Sequence, residues 1–238
     1  MKKAPLIILI CHIITSVNFA QCTGLASILV LSPETEEEFY NIYQRKPRSD
    51  ELENILKLKH ENKCESCTRY GKSELDLKKY IEIHKNSDAR YFLIIGHNDE
   101  GELFMPDGNS ISLKAIEELS IKEGIKTVYL TCSAKKYIPS SSKNPAVNFN
   151  LSLKEAYKIA NEIDAYKCNE MLSPPADPDK RMNEILDNAK FNSDARFIAT
   201  VFGPLSAGAG LVIIKATRSD QVDKNNSKEI PDSTINRE

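Results

Sequence analysis

Short apolar runs rich in β-branched residues recur along the chain, separated by longer segments of mixed polarity. Their length and composition are typical of strands that are buried on both faces of a sheet. The runs predicted to form strands are 25–32 (LASILVLS), 91–96 (YFLIIG), 127–132 (TVYLTC), 196–203 (RFIATVFG) and 210–217 (GLVIIKAT). A glycine-rich connection, PLSAGA, joins the last two runs.

Between these runs, apolar residues recur at spacings of three and four, which predicts amphipathic helices. The predicted helix starts are Ser32 with Pro33, Ser112, a capping box of Ser152 with Glu155, and Asp177 with Pro178. Gly124 predicts the end of the helix that begins at Ser112. Two more helices are predicted around Leu52–Leu56 and Leu77–His84, joined by the turn NKCESC, with His84 as a half-buried packing residue.

Strands that alternate with helices in this way predict an α/β fold, with a mostly parallel sheet sandwiched between helices. Residues 21–217 are predicted to form a single domain, since the chain of 238 residues is long enough for one core. In such sheets, ligands bind outside the carboxyl ends of the strands. His97 and Cys132 stand at two of these ends.

Both ends of the chain are predicted to lie outside the domain. Residues 1–20 combine two lysines, an apolar run and a polar end, which is the layout of a secretory signal peptide. The run is shorter than the roughly 20 apolar residues of a membrane span, and lipidation at Cys22 is disfavoured because Gln21 precedes it. Residues 218–238 are polar and aperiodic, as in a mobile tail. We therefore expect a secreted or periplasmic protein without a stable membrane span.

The charge balance excludes one class of partner. The chain has 32 basic and 34 acidic residues, a formal charge of −2. Removal of residues 1–20 takes Lys2 and Lys3 and no acid, which leaves 30 basic residues against 34 acidic ones, or −4. A mildly acidic chain without a basic cluster has no electrostatic footprint for nucleic acid.

The number of cysteines is odd once the predicted signal peptide, with Cys11, is removed. The remaining cysteines are Cys22, Cys64, Cys67, Cys132 and Cys168. Cys64 and Cys67, near His60 or His84, lack a second pair of ligands for zinc, so no metal is expected. In an oxidising compartment, a local disulfide or pairing with Cys22 and Cys168 is favoured, which would leave Cys132 as the free thiol.

A free thiol next to a histidine is a chemically suggestive pair. A thiol with a pKa of about 8.5 is mostly protonated at neutral pH, so a nucleophilic cysteine needs an adjacent base. Neighbouring strands that end in His97 and Cys132 would supply both groups, and backbone N–H groups at the same edge would stabilise an oxyanion. The residues expected to line this site are Gly96, Asn98 and Ser133.

The stretch FLIIGHNDEGELFMPDGNSISLKAIEEL, followed by VYLTCSA, resembles the core of the caspase-like cysteine peptidases and, among them, the CHAT branch. The matching positions are Leu103, Asp107, Gly108, Ile111, Ser112, Ile116, Leu119, Val128, Leu130, Cys132 and Ser133. The resemblance implies a caspase-like fold in which Cys132 is the nucleophile and His97 the general base and acid. The family usually has glycine after the histidine, where this chain has Asn98.

The resemblance implies a secreted cysteine endopeptidase that acts on a peptide or protein substrate without a cofactor. Asp99 and Asp107 lie near the site in sequence and would orient His97 or favour a basic substrate side chain. Two alternatives stay open. One is a catalytically inactive caspase-like module that binds a partner or effector, and the other is a disulfide-stabilised structural protein.

Overall fold

The computed structural model describes residues 24–62, 64–163 and 176–202, with side chains as far as residue 194. The predicted signal peptide 1–20, the predicted strand 210–217 and the predicted tail 218–238 lie outside the described residues. So do Cys22 and Cys168.

Seven strands and six α-helices are present in the described part of the chain. The strands are β1 (Ala26–Val30), β2 (Thr68–Tyr70), β3 (Tyr91–Ile95), β4 (His97–Asp99), β5 (Glu102–Phe104), β6 (Ser110–Ser112) and β7 (Thr127–Leu130). The helices are α1 (Glu36–Tyr43), α2 (Glu51–His60), α3 (Glu74–Lys85), α4 (Leu113–Glu123), α5 (Leu153–Ile163) and α6 (Pro178–Phe202).

The main sheet has four parallel strands in the order β2-β1-β3-β7. In its register, Val30 lies beside Ile95, and Ile95 lies beside Leu130. The chain moves from β1 to one side of the sheet and then crosses to the other side for β3, so the order reverses between these two strands. Such a switch point opens a crevice at the carboxyl edge of a parallel sheet.

Helices cover both faces of this sheet, which confirms the α/β prediction. Alternate residues of β3 point to opposite faces, as the strand period requires. Leu93 and Ile95 pack in a cluster with residues of α5 and with Met182 of α6. Ile94 packs on the other face with Leu77 of α3 and with residues of α4. Within the described residues, we find no helix with the length and hydrophobicity needed to cross a membrane.

Local signals in the sequence set several helix ends. Ser112 accepts a hydrogen bond from the Ala115 N–H, and Gly124 ends α4 in a left-handed conformation. Ser152 and Glu155 form the predicted capping box, since the Ser152 N–H donates to the carboxylate and the Glu155 N–H donates to the hydroxyl. The predicted start at Ser32 was too early. The N-cap of α1 is Thr35, whose hydroxyl accepts from the Glu38 N–H.

The largest correction concerns residues 196–203, which were predicted to be a strand but continue α6 as far as Phe202. The β-branched residues of this run favour a strand locally. However, neither glycine nor proline occurs between Pro178 and Gly203 to stop a helix that has already formed. Helix propagation therefore outweighs the local preference of the run.

The small antiparallel sheet β4-β5-β6 was not predicted. Its strands have only three residues each, which is too short for an alternating pattern to stand out. It begins directly after β3, with Gly96 between them, and places His97 opposite Phe104. The short edge strand β2 was also missed; it directly follows the NKCESC turn that was predicted to join two helices.

Candidate active site

A pocket of about 320 Å³ opens at the carboxyl edge of the main sheet. Its lining includes Leu31 after β1, Gly96 and His97 after β3, and Cys132 after β7. These residues follow three adjacent parallel strands, so the sheet itself brings them to one edge. The structure therefore places the two predicted chemical groups, His97 and Cys132, in the same pocket.

Two aromatic rings hold the imidazole of His97. The Tyr43 ring lies 4.8 Å from it and the Phe104 ring 6.1 Å, measured between ring centroids. Burial lowers the pKa of His97 below its usual 6.5, an effect that Arg45 reinforces and the negative charge of Asp99 opposes. A lowered pKa leaves the imidazole neutral at neutral pH, which is the form that accepts a proton.

Cys132 is partly exposed and is the free cysteine of the described part of the chain. Its Sγ lies 3.2 Å from the carbonyl oxygen of Leu151, to which the thiol donates a hydrogen bond. The next residue, Ser133, has a φ of 50° in the left-handed region, which is uncommon for a residue with a side chain. The thiol therefore sits on a sharp turn at the end of β7.

Asn98 lies beneath this turn. Its side chain is 5% exposed, and its Nδ2 donates a 2.6 Å hydrogen bond to the carbonyl oxygen of Cys132 itself. Its Oδ1 is buried without a hydrogen-bond partner among the described residues. The sequence predicted that Asn98 lines the pocket, but it does not. Its side chain instead connects β4 to the turn after β7.

The remaining predicted site residues differ in their relation to the pocket. Gly96 lines the pocket. The Ser133 N–H donates to the carbonyl of Phe149 at 3.0 Å and is therefore already engaged in this conformation. Asp99 is exposed and acts on His97 only through its charge. Asp107 does not line the pocket, and both its carboxylate oxygens accept hydrogen bonds from Asn109.

Sequence reasoning missed the contribution of the first two helices. Tyr43, Arg45 and Glu51 line the pocket from α1, α2 and their connection. Arg45 and Glu51 form a bidentate ion pair, with N–O distances of 2.6 and 2.7 Å. No motif marks these residues. The signal that would have found them is topological, since the segment after the first strand of such a sheet borders the switch point.

Neither cysteine of the NKCESC segment belongs to the pocket. Cys64 and Cys67 are buried half-cystines, and how the cysteines pair stays a prediction. Across the residues that the structure describes, no three His, Cys, Asp or Glu side chains are grouped as a metal site would require.

Comparisons with known proteins add no identification: the sequence matches no protein-family model and no curated protein.

Proposed function

We propose that the protein is a cysteine-type peptidase of caspase-like fold, in which Cys132 is the nucleophile and His97 the general base and acid. The observation that carries this proposal is the convergence of His97 and Cys132 in one pocket at the switch point of the sheet. The parallel sheet with helices on both faces is compatible with the caspase-like arrangement. The lowered pKa of His97 gives the base its reactive, neutral form.

The proposed reaction is acyl transfer in two stages. His97 takes the proton of the Cys132 thiol, and the thiolate adds to the peptide carbonyl carbon to give a tetrahedral intermediate. The C–N bond then breaks, the amine leaves with the proton from His97, and a thioester joins the acyl group to Cys132. Water, deprotonated by His97, hydrolyses the thioester and restores the thiol. No cofactor is needed for any of these steps.

The thiol must change its hydrogen bond before this reaction begins. In the described conformation it donates to the Leu151 carbonyl. Rotation about the Cα–Cβ bond would redirect Sγ, because the pocket that contains His97 lies open beside it. Catalytic hydrogen bonds commonly tighten only when a substrate is bound.

The test is the rate at which iodoacetamide alkylates Cys132 as a function of pH. An activated thiolate should react quickly well below pH 8, and His97→Ala should remove that fast reaction. His60→Ala is the matched control, since His60 is exposed at the end of α2 and does not line the pocket. If the rate is that of an ordinary thiol, and is unchanged by His97→Ala, the proposal fails.

A second candidate function has one observation in its favour. The thiol bonds to the Leu151 carbonyl, which would suit a non-catalytic module of the same fold that binds a protein partner through this pocket. Peptide turnover separates the two candidates. A peptidase loses turnover when Cys132 becomes Ala and keeps its folded structure, whereas the binding module shows no turnover in either form.

We also propose that the protein acts outside the cytoplasm, after removal of residues 1–20. The support is the signal-like layout of those residues together with the half-cystines Cys64 and Cys67. Expression in a secreting host should yield a mature chain that begins at Gln21, as measured by intact mass. A product that retains residues 1–20 would contradict this proposal.

A further inference from the structure

We propose that this pocket selects an uncharged, apolar side chain on the residue whose carbonyl carbon Cys132 attacks. This inference rests on the proposed function and adds the class of substrate to it. Asp99 and Asp107 had suggested a preference for a basic side chain, but Asp107 does not line the pocket, nor does Asp99. The preference must therefore be derived from the residues that do.

Most of the pocket wall is apolar. The side chains that form it beside His97 and Cys132 include Leu31, Phe39, Ile55, Leu130, Leu153 and Ala156. Leu31 directly follows β1 and the others lie in α1, α2, β7 and α5, so the wall is built by regular elements of the fold rather than by a single loop. A volume of about 320 Å³ is at the small end of the range for ligand pockets. It therefore suits one side chain.

The two charges of the pocket neutralise each other. Both terminal nitrogens of the Arg45 guanidinium donate to the carboxylate of Glu51, which also accepts the Arg48 N–H at 2.8 Å. Arg45 holds the pKa of Glu51 at about 2, so the pair stays ionised at neutral pH. The guanidinium also lies 5.2 Å from the centre of the Phe39 ring. Nη1 also donates to the carbonyl of Lys46 at 3.1 Å, so each charge of the pocket already has a partner.

A charged substrate side chain would have to compete with this ion pair. An acidic group would need Arg45 to leave Glu51, and a basic group would need Glu51 to leave Arg45. A charged group that left the pair intact would instead lose its hydration beside the apolar wall without a partner of its own, which disfavours binding. An apolar side chain fills the pocket without disturbing the pair. We therefore expect selectivity of at least tenfold for an apolar over a charged side chain.

The experiment uses acetyl-Ala-X acyloxymethyl ketones, in which X is Leu, Lys, Asp or Gly. The Cys132 sulfur displaces the carboxylate, so a C–S bond forms as a C–O bond breaks, and intact mass gives the labelling rate. Cys132→Ala supplies the background from other thiols. The Leu probe should react at least ten times faster than the Lys and Asp probes, with each rate taken relative to the Gly probe.

Two matched variants test the role of the ion pair. Glu51→Gln frees the guanidinium of Arg45 and should raise the relative rate of the Asp probe at least tenfold. Glu61→Gln makes the same change of charge on the same segment, but Glu61 pairs with Lys57 and does not line the pocket. It should leave every ratio unchanged.

The two proposals fail in different ways. Equal rates for the four probes, or a Lys or Asp probe faster than the Leu probe, would overturn the apolar preference while an iodoacetamide reaction dependent on His97 stands. A slow iodoacetamide reaction whose rate is unchanged in His97→Ala would overturn the proposal that the protein is a peptidase. The relative labelling rates of the four probes would still test the apolar preference. Even an unactivated thiol reacts faster with a probe whose side chain binds in the pocket beside it.

Discussion

The burial of His84 makes a quantitative prediction about stability. The side chain is 6% exposed, and its Nδ1 lies 2.8 Å from the Ser27 hydroxyl on β1. The Phe92 ring lies 5.4 Å away on β3. Burial lowers the pKa of His84 from 6.5 to about 4. The sequence had predicted a half-buried residue, but the helix α3 presses this imidazole fully against the sheet.

Proton linkage gives the direction in which the free energy of unfolding changes with pH. The folded pKa lies below the unfolded one, so between pH 6.5 and pH 4 the unfolded chain binds the additional proton, and stability falls as the pH falls. At 1.36 kcal/mol per pKa unit, a difference of about 2.5 units corresponds to about 3 kcal/mol in all. About 2.5 kcal/mol of this should be lost between pH 7.5 and pH 4.5.

Urea unfolding of the wild type and of His84→Asn at the two pH values measures this quantity. Asparagine keeps a polar atom near the place of Nδ1 for Ser27 and does not titrate. The variant is expected to be less stable at pH 7.5, because it leaves a cavity. Its further loss on going to pH 4.5 should be smaller than that of the wild type by about 2.5 kcal/mol.

His60→Asn is the control for this experiment, because His60 is exposed and should leave the loss unchanged. The same loss of stability in the wild type and in His84→Asn would refute the reasoning. It would mean that the folded protein protonates His84 as easily as the unfolded chain does.

Three other side chains give further predictions. Asn98→Ala removes the bond to the Cys132 carbonyl and should slow the fast iodoacetamide reaction about tenfold at pH 6.5, a factor that corresponds to about 1.4 kcal/mol. An unchanged rate would mean that Asn98 does not contribute to the reactivity of Cys132. Tyr129→Phe loses a 2.8 Å hydrogen bond to the buried Glu117, so urea unfolding should show a loss of about 1–3 kcal/mol. Lys126 lowers the pKa of Asp179, so Asp179→Asn should cost about 1 kcal/mol at pH 7, after discount for its exposure. That cost should shrink as the pH falls below 3.8, where the unfolded carboxyl takes up a proton, and a constant difference between pH 7 and pH 3 would contradict it.

The strands of the main sheet were predictable where they are buried on both faces. The runs that contain β1, β3 and β7 were found because a continuous apolar run has few other uses in a chain of this polarity. The carboxyl ends of these three strands lie one or two residues earlier than predicted. The helix α4 was predicted from Ser112 to Gly124 because both of its end signals are chemical, a hydroxyl cap and a left-handed glycine.

Only part of the pocket lining could be predicted from the sequence, because the rest depends on the topology of the sheet. His97 and Cys132 follow buried strands, so their meeting at one edge follows from the parallel order of the sheet. Arg45 and Glu51 reach the same pocket from the segment after β1, and nothing in their spacing indicates this. The order of the strands across the sheet, β2-β1-β3-β7, brings that segment to the switch point, and this order cannot be read from local patterns.

At Asn98 the chain departs from the caspase-like pattern, and the structure gives this residue a different role from the expected one. Asn98, which stands where that pattern has glycine, was expected to line the site, but its side chain is buried and donates a hydrogen bond to the carbonyl of Cys132. Asn98 therefore does not fill the pocket. The thiol itself donates a hydrogen bond to the Leu151 carbonyl.

That bond is too weak to account for an inactive site. A thiol is a weak donor, and a typical hydrogen bond contributes about 1 kcal/mol net. At 1.4 kcal/mol for each factor of ten, the loss of such a bond slows a reaction only about fivefold. A Cys132 that proved wholly inert would therefore need another cause, namely an imidazole held by Tyr43 and Phe104 beyond reach of the sulfur. Replacement of Tyr43 by Leu would then restore reactivity, whereas in an active peptidase the same change should loosen His97 and lower the rate.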